Sequence, residues 1–422
     1  MADDANIAAA LSPAAPKPEH VPDALVYDFD YFKDPGFAKN PHTRIAQMLQ
    51  EAPEVFWTPR QGGHWVSLSY EANYDLGRDW ETFTSEFVPQ AQMQAMRAAL
   101  PPGAPHIPQP LPINVDPPIH TKYRIPLNGA FSPKAMNLLK DDIRALARDL
   151  IANIAPNGRS EFMNEVAEPL PVNVFLKMFG LPVARAEEYR ALVKEHFESM
   201  DFDPQATVIK LQKVAAIMHD TFLERKANPG EDLISRLWAA NVDGVPTTIE
   251  DMENWGVLLF LAGLDTVMNG IGLGVRHLAT DPALQARMRE HPELSQELTE
   301  ELLRRYTFTV PVRMAAKDTV WHGAPIKARE RMLMLLGGAD LDPSRFSDPE
   351  RTDIDREDKV HIAFGTGPHR CVGSHLARIE LQILYEELLA GLPTFRLDPE
   401  HPPEFHGGNV IGLNKLNIVW DV

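Results

Sequence analysis

The stretch Phe364-Gly365-Thr366-Gly367-Pro368-His369-Arg370-Cys371-Val372-Gly373 decides how this chain is read. Glycines at 365 and 367 permit a tight turn whose backbone can approach something flat or bulky. The cysteine opens a segment, Cys371 to Leu392, in which Leu376, Ile379, Ile383 and Leu388 fall on one helical face. At a helix start, unpaired backbone N–H groups and the positive end of the dipole favour thiolate over thiol. His369 and Arg370 add positive charge nearby. A cysteine acting only as a small core hydrophobe needs no such loop around it. The glycines are not a dinucleotide fingerprint either, because the third glycine is missing and no βαβ alternation precedes them.

Outward from this loop, Cys371 is the one cysteine in 422 residues, so no intrachain disulfide can form and a reducing cytoplasm is the expected compartment. Hydrophobic residues make up 44% and charged residues 24%, an ordinary globular composition. Lys+Arg of 41 against Asp+Glu of 59 gives −18, which argues against nucleic acid or an anionic membrane as the main partner. The Ala/Pro-rich opening, residues 1–24, reads as a disordered leader and 25–422 as a single domain. Gly256 to Ala279 is long enough to span a membrane, but Asp265 at its centre and Arg276 near its end favour a buried helix.

Helical periodicity predicts helices over Pro41 to Ala52, Pro133 to Ile154, Ser160 toward Met178, Asp203 to Lys226 and Glu293 to Tyr306, with the region from Pro118 to Leu303 almost wholly helical. Thr248 is placed to cap the long apolar helix. Val55 to Tyr70 reads as a hairpin, and Val312 to Met334 as short strands about Gly323. The proline-rich segment Phe87 to Pro118 is expected to be a structured loop with one short helix, Gln90 to Leu100; Gly337 to His361 reads as loop. The fold class is mainly α: a large helical body with a minor β-rich region.

The pattern F-G-x-G-x-H-x-C-x-G resembles the haem-binding loop of the cytochrome P450 superfamily, in which the cysteine thiolate is the proximal iron ligand. The likeness runs from about Tyr27 to the C-terminus. It implies haem b, with Phe364, Gly365, His369, Cys371 and Gly373 forming the cofactor loop. Glu301-Leu302-Leu303-Arg304 resembles the family's E-x-x-R pair; by position alone it would be an exposed i, i+3 pair, whereas the resemblance makes it buried and structural. Asp348-Pro349-Glu350-Arg351 is similar to the loop that supplies a third partner, which makes Arg351 the expected one. His120 and Arg124, just after Asp116-Pro117-Pro118, together with Arg313 and His369, are expected to clamp the haem propionates.

In the apolar helix, Ala262-Gly263-Leu264-Asp265-Thr266 matches the family's acid–alcohol pair, which implies that Asp265 and Thr266 deliver protons for dioxygen activation. Thr266 can bond back to the Ala262 carbonyl and open the helix locally, and Arg190 is the expected resting partner of Asp265. The spacing resembles soluble bacterial members related to camphor hydroxylase. That implies electrons from a [2Fe–2S] ferredoxin and its reductase, O2 as co-substrate, and a monomer with no membrane contact. Lys122, Arg124, Arg370 and Lys359 would form the docking surface. The expected pocket wall is Phe87, Met96, His106, Leu258, Leu261, Ala262, Thr309, Asn409 and Val410. The loop 87–112 contains no tyrosine, and Pro108 stands where camphor hydroxylase has its carbonyl-binding phenol, so His106 becomes the nearest donor. A compact apolar wall points to hydroxylation of a small terpenoid or norisoprenoid, with small aromatics next. A non-catalytic haem-thiolate sensor and a peroxide-driven enzyme are the competing readings.

Overall fold

The computed structural model describes residues 11–198, 204–264 and 266–422. Five strands, Val55–Thr58 (β1), His64–Ser67 (β2), Phe83–Thr84 (β3), Val312–Ala315 (β4) and Arg331–Met334 (β5), form one sheet in the order β1-β2-β5-β4-β3. β5 runs parallel to β2, with Leu333 opposite Val66, and every other pair is antiparallel. The strands do not alternate apolar with polar because both faces of the sheet are covered. Trp57, Trp65, Met332 and Met334 enter one apolar cluster; Phe56, Val66 and Leu333 enter another on the opposite face.

The helices that place the site are Pro41–Glu51 (α1), Ile119–Ala130 (α2), Ile249–Leu264 (α3), Thr266–Thr280 (α4), Ser295–Arg305 (α5) and Ser374–Gly391 (α6). α6 packs against helix Lys140–Ile154, α4 and α5. Thr248 caps α3 as expected: its Oγ1 accepts from Asp251 N (3.2 Å) while Asp251 Oδ2 accepts from Thr248 N (2.9 Å). α3 and α4 carry the long apolar stretch, and Trp255, Val257, Phe260, Ile271, Val275 and Leu278 are buried in the largest core cluster. The apolar length thus serves the protein's own interior.

Several expectations are corrected. Residues 11–24 are packed rather than disordered: Ser12 N donates to Asp30 (2.8 Å), Ala15 N to Pro59 O (2.8 Å), and Val21 is buried under the sheet. Residues 1–10 lie outside the described residues. The Pro118–Leu303 region is less purely helical than expected. Ser160 stands in a strand, Arg159–Glu161, held in register by Asn417–Trp420, and Asn241–Val242 pairs with Val245–Pro246 across an Asp243-Gly244 turn. Both turn residues have positive φ, the geometry that a D-G hairpin demands. The helix expected from Pro133 is two pieces, Pro133–Asn137 and Lys140–Ile154, and a short helix, Leu336–Asp340, interrupts the predicted 337–361 loop.

Candidate active site

The cysteine loop is shaped by local sequence. Gly365 and Gly367 both have positive φ (72° and 68°), a region that disfavours any residue with a Cβ. At Gly367 a Cβ would also meet Gly77 O, and Arg78 Cα at 2.9 Å; at Gly365 it would meet nothing within 4 Å. The loop therefore presses one glycine against the body and leaves the other on an open face. Cys371 N donates to Phe364 O (2.9 Å), and Thr366 Oγ1 anchors the turn on Tyr74 O (2.9 Å). α6 begins at Ser374, three residues later than the pattern predicts, so Cys371 stands in the loop ahead of the helix. Burial pushes its thiol above the usual range. The Gly373 N–H and the guanidinium groups of Arg124, Arg370 and Arg378 act the other way, toward thiolate. Although enclosed by the chain, Cys371 keeps accessible surface.

Beside this loop, β4, α2 and the turn after β3 bring the expected clamp together. The His120 and His369 rings lie 4.5 Å apart, edge to face. His369 Nε2 is 3.0 Å from Ser85 Oγ and 3.2 Å from Asp116 Oδ1. Asp116 also accepts from Thr84 Oγ1 and Ser85 N. Arg313 is buried, and the one side-chain hydrogen bond it makes among the described residues, to Val312 O (2.9 Å), is to its own backbone neighbour. Burial pushes its pKa down to about 10 despite the attraction of Asp116. His120 Nε2 is buried with no partner among the described residues, and burial together with the charge of His369 lowers the ring to about 4. Arg124 donates to Arg370 O and Asn128 Oδ1. The sequence treats Asp116 only as a landmark; that a carboxylate followed by two prolines would orient His369 was not legible there.

Behind the loop, Glu301 and Arg304 are fully buried, with Arg304 Nε to Glu301 Oε2 at 2.8 Å and Nη2 to Oε1 at 2.9 Å. The third partner is Arg356, not Arg351. Arg356 Nε lies 3.3 Å from Glu301 Oε1, and its side chain is 8% exposed. Arg351 is 69% exposed, points to Asp353, and contributes only its carbonyl, to Arg304 Nη2 (3.2 Å). The tight turn after Asp348, which has positive φ, turns the 351 side chain outward. An adjoining cluster went unread in the sequence. Glu300 accepts from His361 Nε2 (3.1 Å) and from both Arg378 Nε and Nη2, and the Arg378 guanidinium lies 4.5 Å over the Phe364 ring.

On the other side, Thr266 Oγ1 donates to Ala262 O (2.9 Å), as expected. Asp265 lies outside the described residues. Arg190, its expected partner, instead spends its guanidinium on Glu168 and Glu187. Leu258 is buried, Leu261 half-buried, and Ala262 exposed although it sits in an otherwise apolar buried helix. Thr309 bridges Val410, and Asn409 O accepts from Val310 N (2.8 Å), so these three wall residues do assemble. The long loop departs from expectation. His106 Nε2 is engaged by Asn254 Oδ1 (3.2 Å), which also takes Gln109 N (2.8 Å), so this N–H is not free for a substrate. Phe87 is 49% exposed and Met96 half-buried, while Met93, one turn earlier, is the buried methionine of helix Gln90–Ala98. Two of the expected docking cations are already engaged, Lys122 with Asp243 (2.7 Å) and Lys359 with Ile354 O (2.6 Å); Arg370 is exposed.

The cytochrome P450 family profile matches residues 188–421, more than half of the chain. The chain belongs to the cytochrome P450 family. A probable cytochrome P450 127A1 from Sinorhizobium fredii is 34% identical over 414 residues, covering 96% of this chain and 97% of that one. At 28% identity stand a steroid C26-monooxygenase of Rhodococcus jostii (92% and 84% covered) and a linalool 8-monooxygenase of Pseudomonas putida (90% and 95%). The crystal structure of CYP101J2 superposes with a TM-score of 0.85 at 29% identity, covering 97% and 100%. P450 proteins are haem-thiolate monooxygenases, and the residues present fit that cofactor. Among the described residues, no acid is bonded to the buried Arg313 guanidinium, and His120 offers an unpaired buried nitrogen. The open face at Gly365 leaves room for a flat group beside the one cysteine of the chain. Cys371 would hold the iron, and Arg313, His120, His369 and Arg124 the propionates.

Proposed function

We propose that this P450 is a cytoplasmic, monomeric enzyme that takes electrons from a [2Fe–2S] ferredoxin and its reductase and hydroxylates a small terpenoid or norisoprenoid at an unactivated C–H bond. Bound haem supplies the centre at which dioxygen is reduced and one oxygen atom inserted. Cys371 would hold that centre as a thiolate, whose charge the Gly373 N–H and the neighbouring guanidinium groups stabilise. Thr266 holds a hydroxyl proton at Oγ1 and parks it on the Ala262 carbonyl, from which it can rotate toward the exposed Ala262 surface. Asp265 is the proposed relay from solvent. This hydroxyl, which opens α4 and bonds back to Ala262 O near the end of α3, is the observation that carries the catalytic reading, since a sensor has no need to deliver protons there.

The substrate reading rests on an apolar wall (Leu258, Leu261, Ala262, Val410) in which the one ring donor of the long loop, His106, is bonded to Asn254. Such a wall selects by shape. Similarity to the linalool monooxygenase supports a small terpenoid. The test is a screen for the low-to-high-spin change of the haem on adding ligand. Terpenoids and norisoprenoids should produce it; silence from them alongside a response to small aromatic acids would overturn the substrate class. Turnover with a ferredoxin and reductase should exceed turnover with hydrogen peroxide alone, and the reverse would favour a peroxide-driven enzyme.

A further inference from the structure

Where α1, α4 and α5 meet, four nitrogen-bearing side chains surround Tyr306. His42 stands edge-on to its ring with centroids 5.2 Å apart. His277 lies at 5.5 Å, its Nδ1 2.8 Å from the Tyr306 hydroxyl. The Arg305 guanidinium sits 4.9 Å over the same ring, and Arg276, the neighbour of His277, lies 5.1 Å over Phe405. Among the described residues, each keeps one buried nitrogen with no hydrogen-bond partner: His42 Nδ1, Arg276 Nε, His277 Nε2 and Arg305 Nη1. His42 and Arg305 are 1% and 7% exposed, while Arg276 and His277 are half-buried and give the cluster a side toward solvent.

Among the described residues one acid reaches the cluster, from its exposed side, and Arg305 Nε also donates to the carbonyl of that residue, Glu350 O (2.6 Å). Glu350 is 52% exposed and 3.8 Å from Arg305 Nη2. Asp281 is committed to capping Leu284 N (2.9 Å), and Glu301 to Arg304 and Arg356. Two guanidinium groups, each with an unsatisfied buried N–H, are costly unless an acceptor reaches them. The hydrogen-bond roles are set by the partners. Where the Tyr306 hydroxyl donates to His277 Nδ1, its one partner among the described residues, His277 Nε2 carries its proton outward. His42 Nε2 donates to Thr307 O (3.0 Å).

We infer that this cluster is a binding site for a small inorganic anion, which would accept N–H donation from Arg276 Nε, Arg305 Nη1 and His277 Nε2 together. The bound ion ties the end of α4 to the end of α5, so its effect is on the stability of that junction rather than on the chemistry at Cys371. It stands independently of the substrate reading above.

The test uses the holoenzyme. Thermal unfolding is followed at constant ionic strength while gluconate is exchanged for chloride, bromide or inorganic phosphate. A saturable rise in Tm with a halide or with phosphate is expected, and which of them acts identifies the ion. Arg276→Gln should weaken the apparent affinity at least ~10-fold by removing a charged donor. If that variant fails to retain haem, His277→Gln is the substitute. Crystals grown in bromide should show an anomalous peak within hydrogen-bond distance of Arg305 Nη1 and His277 Nε2. A Tm that changes equally for every salt and equally in Arg276→Gln, or density for water alone at the cluster, overturns the inference.

Discussion

Exchanging Arg356 and Arg351 for alanine, separately, tests the reasoning about the buried ion cluster most directly. Arg356 donates to Glu301 Oε1 (3.3 Å) and to the carbonyls of Ser347 (2.6 Å), Asp348 (3.2 Å) and Arg351 (3.2 Å) from a side chain that is 8% exposed. Its removal leaves Glu301 still held by Arg304 and by Asp353 N (2.8 Å), so the carboxylate is weakened rather than abandoned. Hydrogen bonds to charged groups contribute ~1.5–3 kcal/mol, and the lost carbonyl contacts add a smaller share. Arg356→Ala should therefore destabilise the protein by about 2–3 kcal/mol, less than the ~3–5 kcal/mol expected on breaking the Glu301–Arg304 pair itself. Arg351 keeps one exposed ion contact, at 3.8 Å, and its carbonyl survives truncation, so Arg351→Ala should stay within about 0.5 kcal/mol of the parent. Urea unfolding followed by far-ultraviolet circular dichroism measures the difference, and the ferrous carbonyl absorbance per protein reports haem retention. Equal losses in the two variants, or none in Arg356→Ala, would refute the assignment.

Three further outcomes follow from the same geometry. Burial would raise the Glu300 carboxyl, but hydrogen bonds and charge from His361 and Arg378 prevail and hold it at about 2, below its ordinary 4.5. A depressed folded pKa contributes stability that is present above about pH 4.5 and lost as pH falls toward 2; Glu300→Gln should remove up to about 3 kcal/mol of that acid-side dependence in urea midpoints, and an unchanged slope would exclude the mechanism. Gly367→Ala, which drives a Cβ into the 77–78 backbone at positive φ, should lower haem incorporation far more than Gly365→Ala, whose strain is the ~1–2 kcal/mol of a left-handed residue alone. Thr266→Ala should leave haem content intact while product formed per electron consumed falls severalfold; unchanged coupling removes Oγ1 from proton delivery.

What the sequence determined by itself is whatever depends on neighbours along the chain. The loop from Phe364 to Gly373 was readable because its two glycines, its cysteine and the apolar stripe beyond it are local facts, and so was the Thr266 bond to Ala262, one helical turn away. The hairpin Val55 to Tyr70 was legible for the same reason. What only the tertiary structure decided is which distant groups share a charge. Arg351 and Arg356 occupy one loop five residues apart, and only the path of the turn after Asp348 sends the second, not the first, to Glu301. His106 reads as a free donor until α3 brings Asn254 to it, and the packing of residues 11–24 depends on a sheet face whose farthest strand, Arg331–Met334, lies far down the chain. His42, Arg276, His277 and Arg305 come from three helices, and each alone resembles a solvated surface group. Side-chain charge and hydrogen-bond demand are settled by what burial places around a group, and a linear pattern carries the periodicity of burial without the identity of the partner.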